Sequence, residues 1–457
     1  MSLNLITLPY KDNFSLSLLL KLYNKSWTML LHSGRSNNQN CRYDIFVTDP
    51  VIKLVTYGKV TKIQHKNNIL FSNENPFLLV NNYLNKLKIK TSFNSEIPFQ
   101  GGAVGIFGYD LIRNIECIPT IAKNDIYIPD MIVGIYNWAI ITDHKKKINT
   151  LVGYNNLSKI LSNIKMLINN NNIKINNNFS VKSWKSNMTL SEYKNKFNYI
   201  KQCLYSGECY QVCLAQRFST TYYGNEVIAF NKLLNYNQTP FSAFIRFDNC
   251  SIISLSPERF IKVSNKNITS SPIKGTIRKL DNINDNNLQI TKLLNSTKDK
   301  AENIMIVDLI RSDISKLSVP GSVYVSSLLK LETYKSIHHI VSTINAKLMQ
   351  QYSNLELLNS CFPGGSITGT PKSKAINIIE QLEPNRRNLW CGSIGYISYC
   401  GNMDTNISIR TLIMNSNKIY CSVGSGIVLD SDMKSEFDEM LAKVDSIIPI
   451  LSKNNYY

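Results

Sequence analysis

The sequence predicts a chain of mixed α and β type, the α+β variety of the α/β class, with its strands in antiparallel sheets. Three features predict it. Short apolar runs such as Ala139-Ile140-Ile141 and Leu151-Val152 alternate with turn residues through the first third, which is the pattern of antiparallel strands. Longer stretches with helical spacing interrupt them. No strand leads into a phosphate-binding glycine loop in a βαβ rhythm, and no internal repeat is visible, which argues against a parallel nucleotide-binding sheet.

In chain order, residues 1–178 form a strand-rich N-terminal region. It ends in the asparagine-rich segment from Asn169 to Asn178, which has too little apolar content to pack and is expected to be a surface loop. The boundary falls there, and residues 179–452 form the second region. Ser191-Glu192-Tyr193 opens a helical stretch reaching about Ser206. Strands follow around Val212-Cys213-Leu214 and Phe244-Ile245-Arg246-Phe247. Further on, the glycine-, proline- and hydroxyl-rich run from Phe362 to Lys372 reads as a binding loop, because so long a stretch with few apolar residues has little to pack. An amphipathic helix from about Ser373 to Leu382 comes after it.

With 457 residues and 43% hydrophobic content, the chain can bury a large core. No apolar run approaches the length of a membrane span, and the start lacks the features of a signal peptide, so no membrane partner and a cytoplasmic address are expected. The ten cysteines show no CxxC pair or zinc-like spacing, consistent with reduced thiols. A net charge of +19 could suggest nucleic acid as a partner. The lysines are instead scattered beside asparagine and isoleucine, without a nucleic-acid-binding motif, so none is expected.

Four constellations carry chemistry. Pro272-Ile273-Lys274-Gly275-Thr276 places an amine in a turn shaped by glycine and proline; on an exposed turn it is a solubilising charge, but in a dry pocket a desolvated lysine can lose its proton and become a nucleophile. Asp299 with Glu302, and Glu436 with Glu439, put paired carboxylates on single helix faces, and two such faces meeting would offer magnesium its hard oxygen ligands. Arg410 can grip a carboxylate through two parallel hydrogen bonds, and the backbone of Gly424-Ser425-Gly426 can bind a second anion. In the run Ser336-Ile337-His338-His339-Ile340, strand alternation lets only one histidine face a given pocket, and the local sequence alone gives His339 no role.

The strings SPIKGTIR, AENIMIVDLIRSD, HHIVSTI, FPGGSITGTPKSKAINIIEQLEP, GNMDTNISIRTLI and GSGIVLDSD occur in this order, with LLHSG and FQGGAVGIFGYDL upstream. Together they resemble the chorismate-utilising enzymes, a family that includes anthranilate synthase component I, isochorismate synthase and aminodeoxychorismate synthase component I. The resemblance spans nearly the whole chain. It implies two antiparallel sheets packed face to face with helices outside, as in anthranilate synthase component I. Lysine at 274, where anthranilate synthases carry alanine, implies the aminodeoxychorismate branch, and glutamine at 211, where isochorismate and salicylate synthases carry a lysine base, agrees. The reaction implied is amination of chorismate to 4-amino-4-deoxychorismate, a transferase step toward 4-aminobenzoate and folate. Anthranilate synthase component I is the alternative.

The same resemblance implies roles for individual residues. Lys274 adds to ring carbon 2 and ammonia then adds at carbon 4, with Glu258 as general acid and His339 as a further catalytic residue. Arg410, Thr276 and Gly424 to Gly426 hold the substrate, and magnesium sits among Glu302, Glu439, Glu436 and Asp299. A separate glutamine amidotransferase subunit would supply ammonia in a heterodimer. Leu31-His32-Ser33 and Pro240-Phe241-Ser242 stand where tryptophan-binding relatives build their pocket, so tryptophan is a further candidate ligand. Two positions depart from the family: Cys213 and Ser312 replace asparagines.

Overall fold

The computed structural model describes residues 2–34, 40–87, 89, 96–154, 157–169, 178–333 and 337–452. Most of the asparagine-rich segment, and Ser336, lie outside the described residues. Among the described residues every strand-to-strand pairing is antiparallel, and the strands form a 13-stranded and a 12-stranded sheet. Alternation along the strands explains how the sheets pack. Ala243, Ile245 and Phe247 of the strand Phe241–Phe247 join a core with Val104 and Ile106 of the strand Gly102–Phe107, while Phe244 and Phe107 point the other way. Period-two side chains thus give each sheet one face for its partner and one for helices.

Helices cover both outer faces. Phe14–Lys21, Leu190–Tyr205, Glu226–Tyr236 and Met433–Val444 pack on the first sheet; Pro76–Lys86, Thr297–Ser315 and Asn354–Cys361 pack on the second. The expected helix after residue 190 is set by its start. Thr189 and Glu192 form a reciprocal capping box, each side chain bonding the other's backbone N–H.

Both sheets draw strands from either side of residue 178. His32 pairs with Ser242 in the first, and Phe107 with Ser393 in the second. The two regions therefore share their hydrophobic cores rather than folding as separate bodies. No described helix is long and apolar enough to cross a membrane.

Candidate active site

A cavity of about 280 Å³ opens where the ends of the two sheets meet the helices Thr297–Ser315 and Met433–Val444. All four constellations reach it. Lys274 lies on the strand Ile273–Arg278, not in the turn its neighbours suggested. The register against Ile337–Lys347 slips by one residue between Ile273 and Thr276, a β-bulge, and Gly275 takes the positive φ of 79° that the bulge needs. The bulge re-aims Lys274 into the cavity.

Desolvation was expected to free this amine of its proton, and the structure corrects that reading. Burial is the largest single influence and works against the charge, but the surrounding acidic groups, Glu302 foremost with Oε2 3.4 Å from Nζ, together outweigh it and raise the pKa above the ordinary lysine value. In this arrangement Lys274 is an ammonium. A Cβ on Gly426 would sit 2.8 Å from Gln211 Nε2 and 3.2 Å from Lys274 Nζ, so a side chain there would push both flexible ends aside.

Glu258 occupies the crossover from the strand Cys250–Ser256 of the first sheet to Arg259–Ser264 of the second. Its backbone N–H donates to Ser256 Oγ, and Ser366 Oγ, from the loop after Phe362, donates to Oε1 at 2.7 Å. Burial raises its pKa to about 7, against the opposing pull of Ser366 and the Lys274 charge. The carboxyl can therefore carry a proton near neutrality. Ser366 was not singled out by the sequence, although its loop was.

His339 faces the cavity and shares a 2.7 Å hydrogen bond between Nδ1 and Thr276 Oγ1. His338, on the other face, contacts Thr333 and Asn286. Burial, reinforced by the charges of Arg410 and His338, lowers the His339 pKa to about 3, so its ring is neutral. Arg410 also lines the cavity, and no described carboxylate lies within ion-pairing distance of it. Burial lowers its pKa, yet a guanidinium stays charged at any ordinary pH, leaving it poised for an anionic ligand. The strand Lys418–Ile427 pairs with Thr411–Asn415 only as far as Cys421. Gly424, Ser425 and Gly426 remain paired on one side to Ala215, Leu214 and Cys213 and line the cavity.

Asp299, Glu302, Glu436 and Glu439 line the same cavity from the two helices. Glu436 accepts from Ser431 Oγ at 2.6 Å. Lys298, one helical turn before Glu302, contacts Glu436 Oε1 and lies 3.8 Å from Glu302 Oε1; it went unnoticed in the sequence, although its spacing from Glu302 places the two on one helix face. As the side chains stand, no group of three or more metal-ligating residues converges among the described residues. The donors are nonetheless hard carboxylate oxygens around a place already held by positive charge, and their chemistry fits magnesium.

Behind the cavity, Arg387 is buried and bidentate to Glu383, and also donates to the carbonyls of Ile367 and Cys213. Glu383 in turn accepts from the Ala215 N–H. Through these hydrogen bonds the pair pins the loop of Ser366 to the strand of Cys213. Cys213 itself lines the cavity, with Gln211 Nε2 3.7 Å from its sulfur. Ser312, the other departure from the family, is exposed. Ser33, Pro240, Phe241 and Ser242 line a second cavity of about 90 Å³ between the sheets.

A family model for chorismate binding enzymes matches residues 35–449. Aminodeoxychorismate synthase component 1 of Escherichia coli (strain K12) is 45% identical, with 98% of each chain covered. Anthranilate synthase component 1 of Aquifex aeolicus is 30% identical, covering 95% of this chain and 91% of its own. Among solved structures, anthranilate synthase component I from Streptococcus pneumoniae TIGR4 aligns with a TM-score of 0.78 at 27% identity, covering 89% of this chain and 92% of that one. A match over nearly the whole length, on a fold that brings Lys274, Glu258 and Arg410 into one cavity, makes the chain a member of the chorismate binding enzyme family.

Proposed function

We infer that the chain is the large subunit of an aminodeoxychorismate synthase, which aminates chorismate at ring carbon 4. The observation that carries this reading is Lys274 in the cavity with Glu258, a nucleophile beside a carboxyl that can be protonated near neutrality. Lys274 Nζ sheds a proton, for which Glu302 is the described carboxylate in reach, and adds to ring carbon 2. Glu258 protonates the hydroxyl leaving carbon 4. Ammonia then adds at carbon 4 and the lysine amine departs from carbon 2. Arg410 and the Gly424 to Gly426 edge orient the carboxylates of the substrate, while His339, held neutral, fixes Thr276.

Magnesium, when bound by Glu302, Glu436 and Glu439 with Asp299 nearby, would neutralise a substrate carboxylate and withdraw electrons from the ring. Glu436→Ala is expected to weaken Mn²⁺ binding, followed by its EPR signal, more than about tenfold. Unchanged affinity would remove Glu436 from the metal site.

Ammonia is assigned to a glutamine amidotransferase subunit, a reading supported by the "component 1" in the names of the relatives. A cytoplasmic address suits the free cysteines. Tryptophan is the proposed ligand of the second cavity. Calorimetric titration is expected to find one site in the native chain and none in Ser33→Phe, which fills that space; binding unaffected by the substitution would place tryptophan elsewhere.

The deciding experiment incubates the purified chain with chorismate, magnesium and ammonium, with and without an added aminodeoxychorismate lyase, and identifies products by HPLC and mass spectrometry. 4-Aminobenzoate formed only with the lyase is expected. Anthranilate formed without it would make this an anthranilate synthase.

A further inference from the structure

Lys274, Lys298 and Lys443 stand among the acids that line the cavity. Lys274 Nζ lies 3.4 Å from Glu302 Oε2, and Lys443 Nζ lies 2.9 Å from Glu439 Oε1. Lys298 does something different, because it joins the two helices. It contacts Glu436 Oε1 and lies 3.8 Å from Glu302 Oε1, two of the carboxylates assigned to the metal. Its own helix gives it little support. Lys298 occupies the first turn of Thr297–Ser315, where the helix dipole repels a cation, and lysine four residues before glutamate is the weaker order of such a pair. What holds the ammonium is the buried Glu436. Without a cation between them, Glu436 and Glu302 would set two negative charges against each other across the helices.

We propose, on the assignment of magnesium to these acids, that Lys298 is an internal competitor of the metal: it neutralises Glu302 and Glu436 in the metal-free chain and releases them to the metal when it binds. Two cations at the same oxygens repel each other, so one must leave. Of the two lysines on Glu302, Lys298 is the one able to. Its side chain is 33% exposed at the start of a helix, whereas that of Lys274 is 13% exposed and held on a bulged strand. Its flexible stem lets the ammonium return to water. Two consequences follow from this exchange. The metal binds more weakly than the carboxylates alone would hold it, because the Lys298 contacts must be given up. The metal-free chain is in turn spared the repulsion between its two acid-bearing helices.

Mn²⁺ binding to the full chain, followed by EPR, tests this. Lys298→Met keeps a flexible stem and removes the charge, and is expected to bind Mn²⁺ at least about fivefold more tightly than the native chain. Lys298→Arg keeps a cation and should not tighten binding. Lys434→Met removes an exposed lysine two residues from Glu436 and should leave the affinity unchanged. Melting temperature supplies a reading independent of turnover. In EDTA, Lys298→Met should melt below the native chain, and saturating Mn²⁺ should close that gap, because the metal-bound forms no longer use the lysine. Unchanged or weaker Mn²⁺ binding by Lys298→Met, or an equal tightening in Lys434→Met, would overturn the proposal and leave the magnesium site standing. Native and Lys298→Met chains that both fail to bind Mn²⁺ would overturn the magnesium assignment, and the proposal with it.

Discussion

Lys274→Ala is expected to lower aminodeoxychorismate formation by at least about 10²-fold, on the scale that removal of a nucleophile costs. A second role for this side chain must be separated from the first. Lys274 is also the counter-ion of Glu302, 3.4 Å away, and burial raises the pKa of Glu302 against the pull of Lys274 and Lys298. Alanine deletes the nucleophile and the counter-ion together. Lys274→Arg keeps the charge but cannot attack, because a guanidinium does not lose its proton. The arginine variant is therefore expected to be as inactive as alanine, with product measured in the presence of the lyase. Withholding ammonia gives a complementary reading: the native chain should accumulate a covalent adduct with the mass of chorismate less water, and Lys274→Ala should not. An arginine variant keeping a tenth or more of native activity would reduce Lys274 to an electrostatic role.

The identity of these residues was readable because they lie in contiguous strings. Lys274, Glu258 and Arg410 each sit in a recognisable run, and the acid pairs announce themselves by helical spacing. Their mutual arrangement was not readable. The turn expected around Pro272 and Gly275 is a bulged strand because Ile337–Lys347, more than sixty residues on, supplies the pairing, and local sequence does not encode a distant partner. The protonation of Lys274 was misread for the same reason. Desolvation can be guessed from a sequence, but the acidic groups that together outweigh it, Glu302 foremost, arrive from other elements. The interleaving of the two regions is a further case. Short apolar runs identified the strands Trp138–Asp143 and Phe241–Phe247, yet nothing in either indicates which strand lies beside it. The capped helix at Thr189, by contrast, is entirely local and was found within a residue.

Glu258→Gln is expected to lower turnover by about 10²- to 10⁴-fold, the usual contribution of a positioned general acid, and the native enzyme should show why in its pH profile. Burial lifts the carboxyl from its ordinary 4.5 to about 7. The proton needed by the leaving hydroxyl is then present below pH 7 and lost above it. Turnover, corrected for the fraction of nitrogen present as free ammonia, should fall as pH rises through about 7. In the glutamine variant the residual activity should lack that limb. Stability moves the same way. A carboxyl whose folded pKa is raised favours folding fully below its unfolded pKa and loses that contribution as pH climbs through the folded value, to a limit of about 3 kcal/mol. Glutamine keeps the acceptor for Ser366 Oγ, which bonds Oε1 at 2.7 Å, and never ionises. Urea unfolding at pH 8 should therefore find Glu258→Gln more stable than the native chain, with the difference vanishing below about pH 4. A native chain whose stability and turnover are flat across that range would mean that Glu258 is already ionised in the folded protein, and the acid would have to be sought elsewhere in the cavity.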